Sequence, residues 1–301
     1  MTEYVIETQG LTVFYGKQRG IVNVHLRVEK GEVFGFLGPN GAGKTTTLRV
    51  LLDVIRPNRG TATLFGLDCR YQGAVARRRV GYVPGELNFP GHLRGRDYLN
   101  QIDAVRGRAG DAEYRRQLCA RLDLDVSRRI REYSHGNKQK LALVAACMSR
   151  PDLLLLDEPT SGLDPLAQQT VLQLIRESQA EGRTVFLSSH ILPEVQAVCD
   201  RVGIIRAGEL VKVERVDELI GKRFRRLKIQ FSAEPPTQIF ERPGVKLLSR
   251  QAGQVSLEIH AHLDQFLLDI APFGITDIES EHLSLEEVFL SYYGSNGEAH
   301  A

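Results

Sequence analysis

Apolar residues along the first two thirds of the chain occur in short runs separated by longer amphipathic stretches. Residues 4–14 alternate loosely around Gly10 and residues 21–28 alternate more regularly, which is typical of strands with one face on a core. Three continuous apolar runs predict strands buried on both faces: Val33–Leu37, Leu153–Leu156 and Thr184–Leu187. Helices are predicted over about 44–54, 95–106, 111–122, 137–149, 165–180 and 191–199.

Strands that alternate with helices predict an α/β fold, with a mostly parallel sheet under helical cover. The two early strands indicate an additional antiparallel part, and the helices between 95 and 149 indicate a helical part. The pattern changes near Gly221, where Phe224–Phe231 and Val255–Ile259 predict strands and residues 263–272 and 284–293 predict helices. We therefore predict an α/β domain over 1–220 and a small C-terminal α+β accessory domain over 221–301.

A glycine-rich segment follows the first buried strand and fits the pattern GxxxxGK[ST]. It consists of Gly38, Pro39, Asn40, Gly41, Ala42, Gly43, Lys44 and Thr45. Glycines let the backbone wrap closely with N–H groups directed at phosphate oxygens, and the N-terminus of the next helix favours negative charge. In this pattern the lysine reaches the β- and γ-phosphates and the Thr45 hydroxyl binds Mg²⁺. The segment predicts a nucleoside triphosphate site.

Two acidic residues, Asp157 and Glu158, end the second buried strand. Ligand sites in open α/β sheets lie at the carboxyl ends of the strands, so both side chains are expected beside the phosphate loop. Adjacent strand residues point to opposite faces. We therefore expect different roles, with Asp157 at Mg²⁺ and Glu158 towards the attacking water.

Four further segments carry a resemblance to the ABC ATPase family, the ATP-binding subunits of ABC transporters. Ser134–Lys140 resembles the family's signature, Ser161–Asp164 its D-loop, Ser188–His190 its switch histidine, and Phe14–Gly16 the aromatic loop that stacks on adenine. With the phosphate loop and the strand-end acids, six elements occur in the family's order over about residues 3–215. The resemblance implies a P-loop ABC-type ATPase fold.

The resemblance also implies a division of labour between two subunits. One subunit holds ATP through Tyr15 and the loop 38–46, including Thr46, with Mg²⁺ at Thr45 and Asp157. The second closes over the γ-phosphate. Its contribution would come from Ser134, Gly136 and Asn137. Asp164 of the D-loop is also expected to bind the nucleotide. Lys44, Glu158 and His190 would be catalytic. Because the chain has one cassette, the active form is expected to be a homodimer or a heterodimer; Ser134 also fits a plain helix cap.

The chain departs from the family at two places. The family usually has Gln after a Tyr-x-Pro segment, whereas Tyr82-Val83-Pro84 is followed here by Gly85 and Glu86. Glu86 is a candidate substitute, but it adds negative charge beside the phosphates. In the signature, His135 stands for Gly and Asn137 for Gln.

The C-terminal part bears on the kind of transporter. Residues 283–290 resemble the end of bacterial drug and antibiotic exporter ATPases, so we expect an exporter subunit that works with a separate integral membrane permease, contacted through 87–130. Such a subunit is peripheral on the cytoplasmic face of the cell membrane. The alternatives are an importer ATPase and a non-transport ABC ATPase acting on ribosomes or DNA.

Composition helps to choose among these classes of protein. The net charge is +2, from 39 basic and 37 acidic residues, so nucleic acid is not an expected partner. Four widely spaced cysteines form no CxxC pair, which favours a reducing, cytoplasmic setting over a disulfide framework or a zinc site. No apolar run approaches the ~20 residues of a membrane-spanning helix. A role in transport therefore requires a membrane partner.

Overall fold

The computed structural model describes residues 3–107, 111–221, 225–233, 235–251, 253–259 and 263–281. The chain divides into two units, Met1–Glu214 and Arg215–Ala301, slightly before the predicted boundary at 220/221. The exporter-like segment 283–290 and the helix predicted over 284–293 lie outside the described residues.

Strands and helices alternate through most of the first unit. In chain order its elements are β1 (Tyr4–Tyr15), β2 (Gln18–Glu29), β3 (Val33–Leu37), α1 (Lys44–Leu51), β4 (Arg59–Leu64), β5 (Leu67–Asp68), α2 (Gly73–Arg77), β6 (Val80–Val83), α3 (Gly95–Val105), α4 (Ala112–Arg121), α5 (His135–Cys147), β7 (Leu153–Asp157), α6 (Pro165–Ala180), β8 (Thr184–Ser189), α7 (Leu192–Val198), β9 (Arg201–Arg206) and β10 (Glu209–Arg215).

A six-stranded sheet of order β10-β9-β3-β8-β7-β6 forms the centre of this unit. Strand β3 pairs in parallel with β8 and β9, and β7 pairs in parallel with β6 and β8. Leu37 lies opposite Ser189, and Asp157 lies opposite Ser188. The carboxyl ends of β3, β7 and β8 are therefore level, and whatever follows them meets at one edge.

The second sheet of the unit is antiparallel, with the order β2-β1-β4-β5. The two segments predicted on either side of Gly10 form one strand, because β1 continues through a register shift between Thr8 and Leu11. Gly10 has a φ of 60°, which allows the extra residue of a bulge. The bulge keeps Leu11 and Val13 buried.

Apolar side chains from both sheets and from α1 share one core. Phe186 on β8 lies between Phe34 and Phe36 of β3, with ring centroids 5.7 Å and 5.4 Å away. Leu48 of α1 and Ile21 of β2 belong to the same buried cluster. The core therefore ties the helix that follows the phosphate loop to both sheets.

The second unit contains a four-stranded antiparallel sheet of order β12-β13-β11-β14. Its elements are α8 (Val216–Gly221), β11 (Arg225–Phe231), β12 (Val245–Gln251), β13 (Gln254–Ile259), α9 (Leu263–Ile270) and β14 (Ile275–Glu281). Phe240 and the α9 side chain Phe266 join its buried cluster. The predicted α/β class, with antiparallel and helical parts and a small α+β unit, is confirmed. None of the described helices is long and apolar enough to cross a bilayer.

Truncation of Phe186 tests the shared core. Phe186→Ala should lower the free energy of unfolding by about 3–5 kcal/mol, because it removes a buried ring and leaves a cavity between β3 and β8. Urea titration of the full chain followed by circular dichroism measures the effect. Val105, which is 86% exposed at the end of α3, supplies the control. A cost for Phe186→Ala no larger than that of Val105→Ala would contradict this account of the core.

Candidate functional site

The phosphate loop connects the end of β3 to the first turn of α1. The Lys44 ammonium is buried and folds back onto the loop, where it donates to the carbonyl oxygen of Gly38 at 2.6 Å and of Pro39 at 3.3 Å. It also lies 3.2 Å from Glu158 Oε1. Lys44 is therefore held at the N-terminus of α1, where the helix dipole favours an anion.

Gly43 shows why the loop requires glycine. Its φ is 112°, and a Cβ built there would lie 2.5 Å from the Ile21 side chain and 3.1 Å from the Gly20 carbonyl oxygen. Any other residue would be strained and would displace β2. This position therefore fixes the approach of the loop to β2.

Asp157, the last residue of β7, is fully buried and bonded on both carboxylate oxygens. The Thr45 hydroxyl donates to Oδ2 at 2.8 Å, and the Ser188 hydroxyl donates to Oδ1 at 2.5 Å. These bonds join α1, β7 and β8 at the level edge of the sheet. A carboxylate and a hydroxyl at this distance are hard oxygen donors of the kind that Mg²⁺ prefers.

Glu158 leaves the strand with a φ of 51°, in the left-handed region. The backbone turn, rather than strand alternation as expected from the sequence, therefore separates its direction from that of Asp157. Its N–H donates to the Ser188 carbonyl oxygen at 3.1 Å, and its own carbonyl oxygen accepts from Gln139 Nε2 of α5 at 3.1 Å. Such a conformation costs energy in a residue other than glycine, and these bonds hold it.

The Glu158 carboxylate contacts two of the predicted catalytic residues. Oε1 faces Lys44, and Oε2 lies 2.7 Å from Nδ1 of His190, so that the imidazole N–H donates to the carboxylate. His190 follows β8 directly and is half exposed. The structure thus brings Lys44, Glu158 and His190 into one connected group.

A pocket of about 580 Å³ opens over Lys44 and Glu158, and His190 lies behind Glu158 without lining it. The size of the pocket suits a nucleotide. The Tyr15 ring is 44% exposed at its rim, and the Tyr15 hydroxyl lies 3.3 Å from the Thr46 hydroxyl. Predicted site residues that line the pocket are Tyr15, Pro39, Asn40, Gly41, Gly43, Lys44, Thr45, Thr46, Asp157 and Glu158. Gly38 and Ala42 belong to the loop and are buried beneath it.

The predicted signature residues lie apart from this pocket. Ser134 caps α5, with its hydroxyl accepting from the Asn137 N–H at 3.2 Å. Gly136 lies against the Gly162 carbonyl oxygen, and the His135 ring lies over Gly162. The signature and the D-loop therefore form one surface.

Asp164 begins α6 at the end of the D-loop. Its carboxylate accepts from the Ala167 N–H at 2.9 Å. This bond is the largest cause of a lowered pKa of Asp164.

Gly85 and Glu86 both line the pocket. A Cβ at Gly85 would lie 3.0 Å from Asp157 Oδ2, so glycine leaves room beside the carboxylate. The Glu86 side chain is 82% exposed and lies 3.8 Å from Arg49. This pairing directs it along α1, and the structure shows no contact from Glu86 to Asp157 or Glu158 among the described residues.

The pocket also includes residues that the sequence analysis did not select. Gln18, Arg19 and Gly20 of β2 line it, because a tight turn at Gly16 pairs Tyr15 with Gln18 and Phe14 with Arg19. Arg19 also pairs with Glu209 of β10. The sequence feature that could have identified them is the short spacing between Tyr15 and the next strand. Such spacing predicts a hairpin, which brings the start of β2 beside the aromatic ring.

Comparison with known proteins points to the family that the sequence motifs resemble. The family described as ABC transporter matches residues 21–161. The bacitracin transport ATP-binding protein BcrA of Enterococcus faecalis is 35% identical over 219 residues, covering 72% of this chain and 71% of that protein. The Nod factor export ATP-binding protein I of Paraburkholderia xenovorans is 37% identical and covers 70% and 71%.

A solved structure shares the fold. The dimeric structure of MJ0796, a bacterial ABC transporter cassette, superposes with a TM-score of 0.64 at 21% identity, covering 70% of this chain and 98% of that one. At this identity the likeness shows the fold alone.

The level strand ends, the phosphate loop and the buried carboxylate together define a P-loop ATPase. The identity to BcrA over most of both chains places the protein within that class: it belongs to the family of ABC transporter ATP-binding subunits, and its activity is ATP hydrolysis.

Removal of the Thr45 hydroxyl tests the predicted Mg²⁺ ligands. In the presence of Mg²⁺, Thr45→Val should bind a fluorescent ATP analogue about tenfold more weakly, a loss of ~1.4 kcal/mol. With EDTA the two proteins should bind equally, because the hydroxyl then has no ion to hold. Thr170→Val, at a hydroxyl that donates only to the Leu166 carbonyl oxygen of α6, is the control. Equal weakening in EDTA would show that the hydroxyl acts through loop folding.

Proposed function

We propose that the chain is the ATP-hydrolysing subunit of an exporter whose permease is a separate membrane protein, and that two such subunits close over ATP. The ATP-hydrolysing part of this proposal is supported most directly by the contact of one carboxylate, Glu158, with both Lys44 and His190 beside the phosphate loop.

Each predicted residue takes a role that its surroundings support. The loop N–H groups and Lys44 bind the phosphates, and Tyr15 stacks on the adenine. Thr45 and Asp157 would hold Mg²⁺, which would supply positive charge against the charge that develops on the phosphate oxygens. Glu158 orients the attacking water and accepts its proton, while His190 donates towards the γ-phosphate. Catalysis of this kind depends on positioning and charge stabilisation.

The second subunit supplies what this pocket lacks. Ser134, Gly136 and Asn137 lie at the N-terminus of α5 and away from the pocket of their own chain, so they serve a nucleotide bound by a partner. The dipole of α5 favours an anion at this end. The dimeric state of the MJ0796 cassette supports a paired arrangement.

The exporter role rests on the names of relatives. Two of the relatives are named for bacitracin transport and for Nod factor export. We infer that the chain lies on the cytoplasmic face of the membrane and binds a polytopic permease there through residues 87–130. An importer ATPase and a non-transport ABC ATPase are the alternatives, and purification from detergent-solubilised membranes distinguishes them.

Neutralising Glu158 tests the catalytic role. Glu158→Gln should retain ATP binding and lower kcat at least ~100-fold, because Gln cannot accept the proton of the water. Steady-state phosphate release and equilibrium nucleotide binding measure the two effects. Glu113→Gln, on the exposed face of α4, should leave kcat unchanged. Full turnover in Glu158→Gln would remove Glu158 from the mechanism.

Purification from detergent-solubilised membranes tests the partner. The tagged chain should retain a polytopic protein that lacks its own ATPase, and the topology of that protein distinguishes export from import. Recovery of the chain with ribosomes or DNA, and without a membrane protein, would favour the non-transport alternative.

A further inference from the structure

A second carboxylate lies behind the catalytic group without touching the nucleotide pocket. Glu194, in the first turn of α7, is 7% exposed, and its Oε2 accepts from the Thr160 hydroxyl at 2.8 Å. Thr160 is itself 2% exposed. Both groups are thus out of water and bonded to each other.

Burial makes this carboxylate costly. Desolvation is the largest influence and raises the pKa of Glu194; the hydrogen bond from Thr160 opposes it, and the nearby charge of Glu158 adds to it. An apolar side chain would fill the same space without this cost. The carboxylate therefore has a role beyond filling space, and that role lies in its hydrogen bond with Thr160.

Glu194 and Thr160 belong to the two segments that carry the catalytic pair. Thr160 lies two residues after Glu158, and Glu194 lies four residues after His190. Beyond the backbone bond from Glu158 to Ser188, two side-chain pairs join the segments: His190–Glu158, 2.7 Å apart, and the buried pair Glu194–Thr160. The His190 side chain is 51% exposed, so its contact with Glu158 alone restrains it weakly, whereas the buried Glu194–Thr160 pair fixes the separation of the two segments behind it.

The geometry points to Glu194 as a positioning residue that, through Thr160, sets the distance between His190 and Glu158. The same bond fixes the start of the 161–164 segment, whose Gly162 lies under the His135 ring of the signature. Glu194 is not among the described residues that line the nucleotide pocket. This inference rests on the proposed roles of Glu158 and His190.

Four variants separate this role from plain stability. Glu194→Ala and Thr160→Val each remove the bond and should lower kcat about tenfold or more with the KM for ATP unchanged, because a small misplacement of a catalytic pair reduces rate more than binding. The conservative variants Glu194→Gln and Thr160→Ser keep an acceptor and a donor, and they should retain most of kcat.

A double variant tests whether the two residues act as one unit. Glu194→Ala combined with Thr160→Val should lose no more kcat than either single variant, since the bond is already absent. Glu32→Ala is the matched control: Glu32 is also a buried glutamate, but it pairs with Arg201 at the opposite end of β3. It should lower stability and leave kcat unchanged.

The results distinguish this inference from the proposed function. Three outcomes would each overturn it. They are an unchanged kcat in Glu194→Ala and Thr160→Val, multiplicative losses of kcat in the double variant, and a Glu194→Gln as slow as Glu194→Ala.

If Glu158→Gln abolishes turnover while Glu194→Ala does not, only the positioning role fails. If Glu158→Gln turns over normally, the proposed catalytic roles fail first. Should Glu194→Ala not fold, the near-isosteric Thr160→Val gives the same test.

Discussion

The parallel pairing of β3, β7 and β8 is the constraint on which the site depends. All three strands are buried on both faces, so their backbone groups must bond within the sheet and their register has little freedom. This register sets Leu37, Asp157 and Ser188 at the same edge. The phosphate loop, Asp157 and His190 come from three places far apart in the chain, and this register brings them together at one edge.

At that edge of the sheet, hydrogen bonds offset the energetic cost of the strained backbone at Glu158. Glu158, with its left-handed backbone, is held by its backbone bond to Ser188 of β8 and by Gln139 of α5. One hydrogen bond thereby connects α5, which carries the segment that resembles the signature, to the residue proposed to act on water.

Much of this site was predictable because its motifs are local. The phosphate loop, the strand-end acids and the signature each occupy a few consecutive residues, and their chemistry follows from residue type and neighbours. The short strands β4–β6 and the final pair β9 and β10 were not predicted, because pairing, rather than a clear apolar pattern, defines them. Arg19 was missed for a similar reason, since a hairpin turn brings it to the pocket.

The sequence alone determined the class of chemistry: a strand, a glycine-rich loop, a lysine and a helix can be recognised without knowing what packs on them. Only the tertiary structure decided how the parts act on one another. The pairing of Glu158 with both Lys44 and His190 and the bond between Glu194 and Thr160 join residues far apart in the chain. The reason is physical: side-chain periodicity reports which face of an element is buried, whereas distances between elements depend on register, backbone turns and packing.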